Sequence, residues 1–197
     1  MQKITKLNFE DTDVYLEELS KNAGKITISD SYGHNYSYSW GAMGGTLKEF
    51  ITKIDRHYFS KNLIGRRSSE VMDVNKTIAE IRKYIAIEMD LPWFKEMEFQ
   101  KSIREELNSF KNELLENPSQ YYFVDCFQSM FISRLNYHLI KGQYEREQIE
   151  KAFKEISEPW HFIQTKPSEE YKWVEKLHGK LKKELSKKKY QVIESTL

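Results

Sequence analysis

The chain has a single cysteine, Cys126. No intramolecular disulfide can form, which excludes a secreted scaffold held together by cystines. It has no apolar run near the ~18 residues a membrane helix needs. Its start, Met1-Gln2-Lys3-Ile4, lacks the apolar stretch of a secretory signal. The expected compartment is the cytoplasm, with no membrane partner. An excess of one charge sign is also missing, since 31 Lys and Arg oppose 30 Asp and Glu. That balance excludes a strongly acidic DNA mimic and a protein held to nucleic acid by bulk charge. It leaves room for a local patch.

Catalytic and metal patterns are scarce as well. Of His34, His57, His138, His161 and His178, no two stand at the i, i+4 spacing of a metal-binding helix. Cys126 has no Cys or His at zinc spacing. It lies among Phe123, Phe127 and Met130, an apolar setting in which a thiol is inert. Arg134 and His138 are separated by three residues, one short of the R-x4-6-H motif of HEPN ribonucleases. Gly41-Ala42-Met43-Gly44-Gly45 stands between a strand and a helix, where backbone N–H groups can hold a phosphate. The spacing of a Walker or Rossmann loop is absent there, so the segment reads as a close-packing turn. Glu105, Glu106, Glu113 and Glu116 mix with basic residues and read as a solvated helix face. The expectation is a protein with no catalytic residue, no metal and no cofactor.

What is present is a globular pattern with many aromatics: 39% apolar, 31% charged and 14% aromatic residues. Ile4 to Phe9, Val14 to Leu19, Lys25 to Ser29 and Asn35 to Trp40 read as short strands, the second with a helical turn as its alternative. Alternation is clearest in the last, with Tyr36, Tyr38 and Trp40 on one face. That face is either the core side of the sheet or a stacking platform for bases, and the need to cover helices favours the core. After Trp40 the period becomes helical. Thr46 precedes Glu49 by three, the signature of a capping box, and opens a helix expected to end near Phe59. Val74, Ile78, Ile81 and Ile85 make a second stripe, and Phe94, Met97, Ile103, Leu107, Phe110 and Leu114 a third. Asp90-Leu91-Pro92 separates those two helices and Asn117-Pro118-Ser119 ends the later one. Tyr121 to Ile140 is apolar on most faces, as in a central buried helix. A short helix carries Ile149, Phe153 and Ile156, and Pro159 to Ile163 looks extended. Pro167-Ser168 opens a terminal helix reaching about Tyr190.

These readings predict an α+β fold. A small N-terminal antiparallel β-meander packs on a mainly helical bundle of about five to six helices. They predict one domain over 1–197, β-rich to about 45 and helical from 46, with Gly65 to Ser69 as the one candidate boundary.

The strongest charge feature is the terminal helix. Pro167 to Gln191 holds eight lysines and four glutamates. Lys172, Lys176, Lys180, Lys183 and Lys187 fall within an arc of roughly 80° at the helical period. Val174, Leu177, Leu181 and Leu185 fall opposite, with Tyr171 at their edge. One face is expected in the core and the other forms a lysine ridge. The ridge suits a phosphate backbone or an acidic protein surface; it also suits a plain soluble helix whose lysines complement its dipole. Arg66 and Arg67 are candidates to extend it.

Tyr36-Ser37-Tyr38-Ser39-Trp40-Gly41-Ala42-Met43-Gly44, running into Leu47-Lys48-Glu49-Phe50, resembles small proteins carried by phages and mobile elements of Bacteroidota-like bacteria. Phe99-Gln100-Lys101, Arg104-Glu105 and Glu158-Pro159-Trp160-His161-Phe162 share that style. The resemblance implies genomic context more than chemistry, and no site residue is carried over from it. Proteins of this size in that context are often anti-defence factors, anti-CRISPR proteins among them. The expectation is therefore a non-enzymatic binding protein that inhibits a bacterial defence complex, with a defence nuclease or its guide RNA as partner. The lysine ridge with Arg66 and Arg67 would be its contact. The competing expectations are a nucleic-acid-processing enzyme with an unrecognised site and a structural or assembly protein.

Overall fold

The computed structural model describes residues 3–65, 69–88, 97–133 and 158–187. The fold is α+β, a four-stranded antiparallel meander with six helices among the described residues. The chain forms two compact units, residues 1–70 with 167–197, and residues 71–166.

The first unit begins with strands β1 (Lys3–Phe9), β2 (Thr12–Ser20), β3 (Ala23–Asp30) and β4 (Asn35–Trp40), paired in sequence order. The helical alternative for the second segment falls, because its neighbours pair with it on both sides. Register sets the core face. Leu7 lies opposite Val14, Val14 opposite Ile28, and Ile28 opposite Tyr36. Leu16, Ile26 and Tyr38 make the next row. Because side chains alternate along a strand, both rows point to the same side. Tyr36 and Trp40 are buried and Tyr38 is half-buried, so the aromatic face is core and no stacking platform.

Three helices cover that face. The capping box opens α1 (Leu47–Lys53): Thr46 Oγ1 accepts from Glu49 N, and Glu49 accepts from Thr46 N. The single helix expected to reach Phe59 is two helices. Ile54 is extended, and Asp55 caps α2 (Arg56–Ile64) by accepting from Tyr58 N at 2.8 Å. An Asp able to satisfy a free N–H stabilises such a restart. Gly24 lets α1 approach β3, since a Cβ there would meet Leu47 Cβ at 2.9 Å.

The terminal helix, numbered α6 below, spans Glu169–Leu185 and carries its Ser168 cap. Its Val174, Leu177, Leu181 and Leu185 join Leu47, Ile51, Phe59 and the sheet residues in one cluster. It also satisfies the end of α1. His178 Nε2 donates to Ile51 O at 3.0 Å, and Lys182 Nζ donates to Ile54 O at 2.6 Å. Helix ends leave carbonyls without partners, and here another helix supplies the donors.

The second unit holds α3 (Val74–Lys83), α4 (Met97–Glu116) and α5 (Gln120–Cys126). Single wider π-helical turns follow at Tyr84–Glu88 and Phe127–Ile132. The expected stripes are buried where the structure describes them: Val74, Ile78, Ile81 and Ile85 meet Ile103, Leu107, Phe110 and Leu114, while Phe94 lies outside the described residues. Phe110, Phe123, Phe127 and Phe162 form a chain of rings with centroids 5.4–5.8 Å apart. Pro159–Phe162, expected extended, is a 3-10 turn with Pro159 at its start and Phe162 buried. Proline's fixed φ suits a first helical turn as well as a strand. A ribbon of β5 (Glu70–Met72) and β6 (Thr165–Pro167) lies where the chain passes from one unit to the other. The Asp90-Leu91-Pro92 break, Arg134, His138 and the Ile149, Phe153, Ile156 helix lie outside the described residues.

Candidate functional site

Ser168 Oγ accepts from Tyr171 N at 3.0 Å, fixing the start of α6. Val174 and Leu181 have no exposed surface and Leu177 and Leu185 almost none. The opposite face carries the ridge, with Lys176, Lys180, Lys183 and Lys187 exposed and Lys172 half-buried. Three of the five lysines meet carboxylates of the chain itself: Lys172 with Glu169 at 2.6 Å, Lys180 with Glu10 at 3.6 Å, and Lys187 with Glu184 at 2.6 Å. Lys176 and Lys183 have no ion-pair partner among the described residues. Arg66 and Arg67, the other expected contacts, lie outside the described residues.

A cleft of about 330 Å3 opens beside the first turns of α6, lined by Asp30, Tyr32, His34, Tyr36, Glu169, Glu170 and Trp173. The β3–β4 turn builds one side. Gly33 takes a positive φ of 92°, which glycine adopts without strain. Asp30, its side chain 4% exposed, accepts from Tyr32 N at 3.0 Å, His34 N at 2.9 Å and the His34 ring at 2.8 Å. Burial pushes the Asp30 carboxyl up, but these His34 and Tyr32 hydrogen bonds outweigh it and hold it below the ordinary carboxylate value. Tyr36 donates its hydroxyl to Glu170. Burial, then the Glu170 carboxylate, raise the Tyr36 phenol well above its usual value, so it stays a donor.

The His34 and Tyr36 rings are stacked, 6.2 Å apart and 15° from parallel. Trp173 stands 5.9 Å from Tyr36 and 6.5 Å from His34. Tyr32 is 78% exposed at the rim. A neighbouring cleft of about 240 Å3 shares Asp30, Tyr32 and Trp173 and adds Glu10, Asp11, Lys176 and Lys180. The aromatic cleft was not read from the sequence. Its one local signal is Trp173, which stands just beside the lysine arc on a helix that already buries another face.

The Gly41 to Gly45 turn offers no phosphate loop. Glu18 Oε1 and Oε2 accept from Leu47 N at 2.9 and 3.1 Å, and Glu49 accepts from Thr46 N. Two carboxylates thus already occupy the Thr46 and Leu47 N–H groups at the start of α1. Cys126 is half-buried and free of disulfide. Among the described residues, no helix is long and apolar enough to cross a membrane, and no group of three His, Cys, Asp or Glu is placed to hold a metal ion.

Residues 1–187 match the family model Phage_phiTE_072, described as a phage family. No curated protein and no solved structure matches the chain.

Proposed function

The chain belongs to this phage protein family, and from that premise we propose that it is a non-enzymatic binding protein that inhibits a bacterial defence complex. The sharpest form of the reading is an inhibitor of an RNA-guided nuclease. The observation that carries it is α6. One face of this helix is locked in the core and tied to α1 through His178 and Lys182, while the other presents lysines beside an aromatic cleft. A rigid helix face with aromatic neighbours is the anatomy of a contact surface, where binding loses little ordering entropy.

Of the two partner classes, a protein surface fits better than guide RNA. Three ridge lysines are already compensated by the chain's own carboxylates, which leaves two to neutralise phosphates. Affinity for a single strand rises with the number of phosphates neutralised, each contributing a salt slope of about 0.7. Two free lysines make a weak grip on RNA, but they suffice to orient an acidic protein patch.

The test is reconstitution. A purified RNA-guided nuclease from a host bacterium is assayed for target cleavage with and without the full chain, at low and physiological salt. Inhibition that is lost on replacing Lys172, Lys176, Lys180 and Lys183 with Glu is the expected result. Undiminished cleavage, together with no defence protein or guide RNA recovered on the tagged chain from that host, would overturn the reading.

A further inference from the structure

We propose that the cleft beside Trp173 receives an arginine side chain of the partner protein. The proposal rests on the reading of the chain as a partner-binding protein and gives that partner a chemistry at a second point of contact. The rings come first. His34 and Tyr36 stack and Trp173 stands against both, so three π systems line a single recess with Tyr32 exposed at its mouth. The faces of such rings carry negative charge density and attract a cation.

Charge then selects the occupant. Asp30, Glu169 and Glu170 line the recess, and among the described residues no lysine or arginine does. Lys172 compensates Glu169 at 2.6 Å, but Asp30 and Glu170 are held by hydrogen-bond donors that bring no permanent positive charge: the Tyr32 and His34 backbone, the His34 ring and the Tyr36 hydroxyl. A phosphate or carboxylate entering here meets carboxylates. A purely apolar group gains nothing from them. A guanidinium satisfies both features, because it is planar enough to stack on the rings and offers N–H pairs to a carboxylate. An ammonium has the charge without the plane. The volume of about 330 Å3 is at the lower end for ligand sites and suits one long side chain better than a helix.

The recess also differs in sign from the lysine ridge on the same helix. A partner with an acidic patch next to a protruding arginine matches both, and such alternation fixes the register of a complex.

The experiment uses the isolated full chain and a small probe. N-acetyl-arginine amide is titrated into labelled protein while the indole N–H of Trp173, assigned from a Trp173→Phe spectrum, is followed by NMR. N-acetyl-citrulline amide, of nearly the same shape and uncharged, is the control. The expected result is a saturable shift of the Trp173 indole and of the Tyr32 and His34 amides with arginine, and a much smaller one with citrulline. Tyr32→Ala, at an exposed position, should weaken arginine binding about two- to fivefold. Glu170→Gln, which leaves an acceptor for Tyr36, should weaken it by a similar factor. No shift with arginine, or equal shifts with arginine and citrulline, would overturn the proposal. Because this measurement involves no nuclease, its failure leaves the inhibition assay to stand or fall separately.

Discussion

The two units reach stability by different routes. The second is built from helical stripes and a run of phenylalanine rings tilted against one another, all within one continuous stretch of chain. The first joins the two ends of the chain: a local meander needs α6, more than a hundred residues later, to close its core and to satisfy the carbonyls of α1. Contact between distant segments costs chain entropy before it yields burial. The first unit therefore depends on one element, and that same element carries the candidate contact surface.

Removing α6 tests this dependence most severely. Val174, Leu177, Leu181 and Leu185 are each buried, worth about 1.5–3 kcal/mol apiece. Their sum is comparable with a typical net stability of about 5–15 kcal/mol. A chain ending after Lys166 should lose protection of β1 to β4 in amide exchange; a sheet that stays protected would show that α6 is dispensable.

Single core changes compare the units directly. Leu181→Ala in the first should cost about 2–5 kcal/mol and Phe123→Ala in the second about 3–5 kcal/mol. If the chain folds as one domain, both variants should lower a single calorimetric transition. Two transitions, each sensitive to one variant, would divide it.

A smaller effect is a pH response of the first unit, which holds both groups concerned. His178 has no exposed surface, stacks on Phe59 at 4.3 Å and donates through Nε2, while its Nδ1 has no hydrogen-bond partner among the described residues. Burial lowers its pKa, and Lys182 and Arg56 add to this, against the opposing Ile51 hydrogen bond and Asp55. A histidine with a lowered folded pKa binds fewer protons folded than unfolded. Its contribution is full above the unfolded value of about 6.5 and is lost as pH falls below it. The denaturation midpoint should thus fall between pH 7.5 and 5, and His178→Gln should flatten that window. Asp30, with its lowered carboxyl, acts in a more acid range: its contribution is lost only as pH falls through its depressed value. An unchanged midpoint in wild type would contradict the neutral buried state of His178.

The smallest stability effect belongs to the ridge. Replacing Lys172, Lys176, Lys180 and Lys183 with Glu breaks exposed pairs worth about 0–1 kcal/mol each. The melting temperature should hardly move while partner capture is lost. A large drop would make the ridge part of the fold and not of the contact surface.

Much of this molecule was determined by periodicity alone. Alternation placed β4 at Asn35–Trp40, the Thr46–Glu49 spacing announced a capping box, and the stripes of α3, α4 and α6 chose their buried faces. These are local properties, because burial repeats along a chain at the pitch of the element that carries it. The lysine arc was legible for the same reason. Other features were decided only by tertiary structure. The helix from Thr46 breaks at Ile54 because Asp55 restarts it and α6 supplies donors to the carbonyls left behind. Pro159–Phe162 coils because Phe162 is needed in a core built elsewhere. The cleft brings the Asp30 to Tyr36 turn against Glu169, Glu170 and Trp173, residues more than a hundred positions away. No local pattern encodes that meeting, since each half is ordinary until the sheet and the terminal helix pack together.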